Sequence, residues 1–308
     1  MTEAVARARA WLWQLKRLVG SEWGLCPGLF MRLVRGAVLP RLMFGAPVWS
    51  SVLCSSQRLS ALDAVLAMAA KMAFGLERFT STEASLALSG LMPARQQILQ
   101  RLVAYMLKRR RTMLEEDALP RVHRSYVTPD ELGRTWFQRS VRGHTIPTIL
   151  PRRRQLIRAG VERALMDEWQ RRWSASERGR QLFGILGRVG GGGWSPEDGD
   201  TLGRRDLTLV GRFLTGHYHF GDWSPSRDPD EEELCPLCGG GYSREHLLFD
   251  CPNLESVRRS TIGPMLDRRG RDLCWLAGSG CALLGRFLRV ACDTVLWSWR
   301  ELEEWEEC

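Results

Sequence analysis

The stretch CPLCGGGYSREHLLFDC, residues 235–251, constrains the fold most, because it gathers four metal-ligating side chains in one short segment. It holds three of the nine cysteines and one of the five histidines in the chain. The spacing is C-x2-C-x7-H-x4-C, and three thiolates with one imidazole satisfy the tetrahedral geometry that zinc prefers. We therefore predict one structural zinc ion, bound by Cys235, Cys238, His246 and Cys251.

The residues between these ligands favour the same interpretation. Pro236 helps to set the C-x2-C turn, glycines 239–241 let the chain fold back, and Ser243 starts a short helix that presents His246. The alternative is coincidental spacing, with one or two of the four residues simply buried. Because the number of cysteines is odd and three are clustered, a disulfide framework is not expected. The six other cysteines are expected to be buried or free thiols.

Helical periodicity dominates the remainder of the chain. In residues 56–74 the apolar side chains repeat on one stripe, and Gly75 follows as a stop signal. Thr80 and Glu83 are spaced as a capping box that opens another helix, closed by Gly90. Residues 30–53 predict two short helical pieces and a bend, punctuated by prolines. No alternating strand pattern persists, so the predicted fold class is mostly α.

The breaks between these predicted helices divide the sequence into regions. We predict a helical region, a basic proline-broken arm, a helix, a glycine-rich loop and a helical C-terminal domain that contains the zinc knuckle. The corresponding ranges are 1–116, 117–155, 156–186, 187–200 and 201–308, with the knuckle at 235–251.

The positive charge is concentrated in the middle of the chain. The formal net charge is +9, and residues 95–173 alone carry 18 Arg and Lys against 8 Asp and Glu. Two clusters flank the proline-broken arm, where a solvated helical face is the alternative to a track that contacts phosphates. The predicted contacts in these clusters are Lys108, Arg109, Arg110, Arg111, Arg152, Arg153 and Arg154.

The knuckle is predicted to add stacking and phosphate contacts through Tyr242, Arg244, Arg258 and Arg259. His217 and His219 are expected either to pack against the knuckle or to join this surface. The partner expected for such a surface is RNA or DNA.

Several segments, in their order, resemble a known family. VLPRLMFGAPVWSS (38–51), the helix beginning near Gln57 and Arg58, the pattern from Ser81 to Pro93, EWQRRWSASERGRQLF (168–183) and LTGHYHFGDW (214–223) precede the metal motif. Together they resemble the region after the catalytic palm in reverse transcriptases of non-LTR (LINE-type) retrotransposons. The resemblance implies a thumb or connector, with 1–116 as the thumb-like region, followed by a CCHC zinc knuckle. It also implies that the nucleic acid bound is a template–primer or a target site.

The features of that family's active sites are absent from this sequence. It contains no Asp-Asp pair, which the polymerase palm requires, and no spaced acidic set for a ribonuclease H between residues 95 and 155. We therefore expect a non-catalytic nucleic-acid-binding chain. A zinc-stabilised scaffold that docks a protein partner through Trp297, Trp299 and Trp305 is the second hypothesis. A residual enzyme and a retroelement remnant without selected activity, whether a truncated copy or a host-retained gene, complete the alternatives.

The sequence also predicts the cellular compartment. The N-terminal stretch has neither a long apolar run nor a small-residue cleavage site, and no window reaches the 18 apolar residues of a membrane span. An intracellular protein of the nucleus or cytoplasm, with no membrane partner, is expected.

Overall fold

The computed structural model describes residues 2–109, 151–190, 194, 202–217, 234–235, 237–241 and 243–306. Within the helices, the side chains of residues 106–109, 151–157 and 295–306 lie outside this description. The regular structure in the described part is helical, which confirms the mostly α fold class.

The described helices are numbered in chain order. They are α1 (Thr2–Lys16), α2 (Pro27–Leu33), α3 (Leu39–Leu42), α4 (Ser56–Phe74), α5 (Thr82–Ser89), α6 (Ala94–Arg109), α7 (Pro151–Ala175), α8 (Arg180–Phe183), α9 (Arg204–Thr215), α10 (Glu255–Thr261), α11 (Gly263–Arg269), α12 (Leu273–Ala277) and α13 (Cys281–Glu306). Two π-helical turns (Val34–Val38 and His246–Asp250) and two 3-10 turns (Ser50–Cys54 and Pro252–Leu254) join them.

Helix α4 is the centre of the N-terminal half, packed by α1, α2, α5 and α6. Its start is capped by Ser55, whose Oγ accepts a hydrogen bond from the Arg58 N–H. Its end is Gly75, at φ +62°, in the left-handed conformation that glycine adopts at helix C-termini. Both bounds match the prediction from the apolar stripe and its stop signal.

The predicted capping box before α5 is wrong in one residue. Ser81, not Thr80, has the extended backbone of an N-cap, and its Oγ accepts from the Ala84 N–H at 3.2 Å. Thr80 is buried. Glu83 is consequently one position too early in the helix for the reciprocal bond of a capping box, and it pairs instead with Arg172 of α7 at 2.5 Å.

The bend predicted for residues 30–53 lies after α3. From α2 to α3 the chain is continuously helical, because Pro40 falls at the start of α3, where its missing N–H costs little. The turn comes at Gly45, at φ +66°, and the Trp49 indole closes it by donating Nε1–H to the Phe44 carbonyl at 2.8 Å.

The C-terminal half is built on α9, which packs against α13, α8 and α4. A buried Arg204 at the start of α9 joins the halves. It donates to the Met72 carbonyl at 2.9 Å, to the Ala73 carbonyl and to the Gly20 carbonyl at 3.0 Å. One buried hydrophobic cluster also contains residues of both halves, from Ala8 of α1 to Ala291 of α13.

One boundary differs from the sequence-based division. Helix α7 begins at Pro151, within the range assigned to the basic arm. In the glycine-rich stretch, Trp194 is fixed by two hydrogen bonds of 2.6 Å: its N–H donates to the Leu88 carbonyl and its Nε1–H to the Ala277 carbonyl.

Among the described helices, none combines the length and the apolar character that crossing a bilayer requires.

Candidate metal centre and basic helix ends

The four predicted metal ligands converge. The Sγ atoms of Cys235, Cys238 and Cys251 and a ring nitrogen of His246 all lie within 4.8 Å of one another. The Cys235 and Cys251 sulfurs are 3.9 Å apart, and the Cys238 sulfur is 3.2 Å from His246 Nε2. No other described group of His, Cys, Asp and Glu meets the same criterion. The cluster can therefore hold a metal ion.

A tight backbone turn places the first two cysteines. Cys235 donates its N–H to the Gly240 carbonyl at 2.6 Å and accepts from the Gly239 N–H at 2.8 Å, while Leu234 and Gly241 form an antiparallel bridge. Gly239 has φ +71°, a conformation that a residue with a Cβ adopts at a cost. The glycines that the sequence analysis singled out thus close the turn.

A short helical segment supplies the other two ligands. Ser243 Oγ accepts from the His246 N–H at 2.9 Å, as expected for a residue that starts a helix. The Cys251 N–H donates to the His246 carbonyl at 2.7 Å, which closes a π-helical turn over residues 246–250. Leu247 and Leu248 of this turn are buried and fix it to the core.

The electrostatics of the cluster favour the binding of a cation. Burial raises the pKa of the Cys251 thiol to about 12. A backbone hydrogen bond at Gly240 lowers the pKa of Cys238. A buried thiol with a raised pKa is ionised near neutral pH only when a positive charge is bound beside it.

Arg258 is part of the support for this cluster. Its side chain is buried, and it donates to the Cys251 carbonyl and to the Leu248 carbonyl, each at 2.8 Å. It also pairs with Glu255. The sequence analysis expected Arg258 to contact nucleic acid. Its guanidinium faces the protein interior, because it satisfies the carbonyls left open where the π-helical turn ends.

The other expected knuckle contacts are placed differently. Arg244 is partly buried and donates to the Gln181 carbonyl at 3.1 Å, which ties the knuckle to α8. Arg259 is exposed and pairs with Glu255 at 2.7 Å. Tyr242 lies outside the described residues. Of the predicted knuckle contacts, Arg259 is therefore the one that the structure describes on the surface.

The described residues of the two basic clusters lie on a pair of antiparallel helices. Arg95, near the start of α6, bonds to Glu168 of α7 at 3.1 Å, whereas Arg101 shares a cavity with Arg158 and Val161. Positions further along α6 therefore face earlier positions on α7, and the end of α6 and the start of α7 lie at the same end of the pair. We call these two turns the basic helix ends. They carry Lys108 and Arg109 on α6 and Arg152, Arg153 and Arg154 on α7.

Some predicted contacts fall on residues without a description. Arg110 and Arg111 lie outside the described residues, as does His219. His217 packs edge-on against Phe79, with ring centroids 4.8 Å apart. Trp297, Trp299 and Trp305 lie on α13, and nothing of their side chains is described.

A cavity between α6 and α7 was not predicted from the sequence. Its volume is about 620 Å³, and three arginines from separate segments line it: Arg35, Arg101 and Arg158. The only signal in the sequence was the excess of arginine in the middle of the chain. Helical periodicity alone did not show that the π-helical turn containing Arg35 lies beside them.

The chain is similar to several retrotransposon proteins. It is 25% identical over 262 residues to the retrovirus-related Pol polyprotein from type-1 retrotransposable element R1 2 of Nasonia vitripennis, covering 85% of this chain and 55% of the relative. It is 27% identical to the R1 3 polyprotein of the same wasp, covering 90% and 69%. Against a 115 kDa protein in type-1 retrotransposable element R1DM of Drosophila melanogaster, the identity is 25%, with 79% and 21% covered.

No family model matches the chain, and no solved structure matches it either. The chain spans about half the length of the first of these curated relatives. The resemblance predicted from the motifs is confirmed, since over most of its length the chain is homologous to the Pol polyproteins of R1-type non-LTR retrotransposons.

Proposed function

We propose that this chain is a non-catalytic nucleic-acid-binding module, equivalent to the thumb and C-terminal arm of a retrotransposon polyprotein. In this proposal the basic helix ends contact the phosphates of RNA or a template–primer, and a structural zinc ion stabilises the knuckle. The position of the basic helix ends, together at one end of the α6–α7 pair, carries the proposal.

The geometry of the cluster supports zinc as the metal. With Zn–S near 2.3 Å and Zn–N near 2.0 Å, a tetrahedron places two sulfurs about 3.8 Å apart and a sulfur and a nitrogen about 3.5 Å apart. The distances in the chain are 3.9 Å for Cys235 and Cys251, and 3.2 Å for Cys238 and His246. Four protein ligands close the coordination sphere, so the ion would supply rigidity, with no position for a reacting water.

The charge distribution supports nucleic acid as the partner. The excess of arginine lies in the same part of the chain as the basic helix ends. Arginine suits phosphate binding, because its planar fork donates two parallel hydrogen bonds to one phosphate group. Contacts of this kind position a strand without reading its sequence.

Three of the described carboxylates form ion pairs between helices, which assigns a structural role to these three acids. A metal-dependent polymerase or nuclease needs carboxylates that converge on open metal positions. Here Asp63 and Glu83 are both paired with Arg172, at 2.9 Å and 2.5 Å, and Glu168 is paired with Arg95. These acids therefore serve ion pairs between helices.

The test is the affinity of the full chain for a structured RNA, a template–primer duplex and single-stranded DNA across a salt series. Replacing Arg152, Arg153 and Arg154 together by Gln should weaken binding and reduce the magnitude of the salt slope by up to about 3. The matched control replaces the exposed Arg163, Arg171 and Arg178 by Gln, which removes the same charge. Equal losses of affinity in the two triple variants, or an affinity that does not change with salt concentration, would contradict the proposal.

One observation favours a second function, a protein-interaction scaffold. Phe44 and Val48, in the turn after α3, are 83% and 82% exposed, and Trp23 is 61% exposed. Exposed apolar side chains that lie together in one turn, as Phe44 and Val48 do, favour a surface that contacts another protein. Tight binding to a protein partner together with weak, salt-insensitive binding to nucleic acid would favour this function.

A further inference from the structure

The cavity between α6 and α7 has the size and the lining of a nucleotide site. Its volume of about 620 Å³ falls within the range of small-molecule pockets, roughly 300–1,000 Å³, and exceeds what one mononucleotide occupies. We call it the arginine cleft, after Arg35 of the first π-helical turn, Arg101 of α6 and Arg158 of α7, which line it.

The arginine cleft is positively charged. The residues that line it include three guanidinium groups and one carboxylate, that of Glu162. Within the described part of the chain, neither Arg101 nor Arg158 forms an ion pair. Arg101 donates to the Gln97 side chain at 2.9 Å, and Arg35 donates to the Ser89 carbonyl at 2.9 Å. The acceptors on Gln97 are neutral, so the charge of Arg101 is not compensated by any described carboxylate within ion-pair distance.

Partial burial strengthens the attraction for an anion. Removal from water lowers the pKa of both Arg35 and Arg101. The same removal means that a bound phosphate would interact with these groups in a medium of lower dielectric constant than water.

The remaining wall is apolar and can accept a base. Leu39, Leu91, Met92 and Val161 line the cleft beside the arginines, and Gln100 adds an amide with both a donor and an acceptor. A duplex keeps its bases stacked inside and can offer only phosphates to such a cavity. A strand with unstacked bases can insert one base together with its phosphate.

We propose that the arginine cleft binds one nucleotide unit of a single strand, with its phosphate on Arg101 and Arg158 and its base against the apolar wall. This inference rests on the proposed nucleic-acid binding and adds a specific site to it. The site adjoins the basic helix ends, since Arg101 lies about two turns before the end of α6 and Arg158 about two turns after the start of α7. A strand that crosses the helix ends would therefore reach the cleft.

Two variants test the site in different ways. Arg158→Gln removes a charge from the cleft, and Arg163→Gln, five positions along α7 and outside the cleft lining, is its matched control. Ala104→Phe fills the cleft without changing charge, and Ala159→Phe, at an exposed position of α7, is its control. Circular dichroism and thermal unfolding of each variant establish that the fold is retained.

The measurements are the affinity of the full chain for a single-stranded oligonucleotide, a blunt duplex and uridine 5′-monophosphate. We expect Arg158→Gln to weaken oligonucleotide binding about 3- to 10-fold more than Arg163→Gln, and Ala104→Phe to weaken it about 10-fold. Both cleft variants should leave duplex binding nearly unchanged. Saturable binding of the mononucleotide, lost in Ala104→Phe, would also support the site.

The outcomes separate this inference from the proposed function. Salt-dependent binding of nucleic acid that responds equally to each variant and its control would overturn the cleft and leave the proposed function standing. Mononucleotide binding that Ala104→Phe abolishes, without binding of any nucleic acid, would assign the cleft to free nucleotides and overturn the proposed function. If no probe binds, both are wrong.

Discussion

Arg172 of α7 donates to Asp63 of α4 across a gap of 109 residues in sequence, with Nη2 and Oδ2 2.9 Å apart. The second oxygen of the same carboxylate accepts the Ala94 N–H, the first of α6, at 2.6 Å. Asp63 is almost fully buried. One carboxylate thus joins three helices, and it fixes the pair α6–α7 that carries the basic helix ends and the arginine cleft.

Replacing this carboxylate should destabilise the chain. Asp63→Ala leaves the α6 N–H unpaired and removes one partner of the partly exposed Arg172, so we expect a loss of about 3 kcal/mol in the free energy of unfolding. Asp63→Asn should lose less, because its amide oxygen can still accept the Ala94 N–H. Urea denaturation measures both changes. The control is Asp167→Ala, an exposed carboxylate of α7, which should change stability by less than about 0.5 kcal/mol. A similar loss in control and variant would contradict the assigned role.

Metal content is the second prediction. The purified chain should contain one zinc per molecule by elemental analysis, and Cys238→Ser should contain little. Because zinc binds the folded cluster, a free concentration 1,000 times the dissociation constant should stabilise the wild-type chain by about 4 kcal/mol relative to the chelated form. Cys274→Ser, at an exposed thiol outside the cluster, is the control and should retain zinc. Full occupancy in Cys238→Ser would show that the metal is bound elsewhere.

Arg258 should influence metal affinity without touching the metal. Arg258→Lys keeps the charge but cannot donate to the Leu248 and Cys251 carbonyls in the same way, so Cys251 becomes less well positioned. We expect zinc affinity to fall about 10-fold, as is typical when groups that orient metal ligands are altered. Competition with a chromogenic chelator measures the affinity.

The exposed neighbour Arg259 provides the comparison for that experiment. Its guanidinium pairs only with Glu255 among the described groups, and the corresponding side chain is 79% exposed. Arg259→Lys should therefore leave zinc affinity unchanged. If both Lys variants bind zinc as the wild-type chain does, the hydrogen bonds of Arg258 serve stability alone.

The elements that the sequence predicted well are those set by local rules. The bounds of α4 follow from an apolar stripe and a glycine that tolerates positive φ, and the metal cluster follows from ligand spacing and a glycine turn. The predicted N-cap of α5 is wrong by one residue, because Thr80 has the capping-box spacing from Glu83 and both Thr80 and Ser81 are N-cap residue types. Burial of Thr80 decides between them, and burial depends on the tertiary fold.

Long-range contacts explain why the arginines were assigned less well. An arginine count cannot separate Arg258, which binds backbone carbonyls, from Arg259, which faces solvent one residue later. Nor can it show that Arg35 reaches the cavity between α6 and α7. These roles depend on which helices meet, and periodicity in one chain segment carries no information about its neighbours.

Arg204 provides the last prediction, on the junction between the two halves. Its guanidinium binds the carbonyls of Met72 and Ala73 in the last turn of α4, where a helix has unpaired carbonyls and a partial negative charge. Burial among these neutral acceptors lowers the pKa of Arg204 to about 10, which still leaves it charged at neutral pH. Arg204→Met should therefore leave several buried carbonyls unpaired and cost about 3 kcal/mol.

The next residue is a matched control for this variant. Arg205 pairs with the exposed Asp293 at 2.7 Å, and exposed ion pairs contribute about 0–1 kcal/mol, so Arg205→Met should have a small effect. Urea denaturation compares the two, and the slope of the transition reports whether the halves still unfold together. Loss of the Arg204 clamp should broaden the transition or split it, since α9 is the helix that contacts both α4 and α13. Equal stabilities of the two Met variants would mean that the apolar core alone joins the halves.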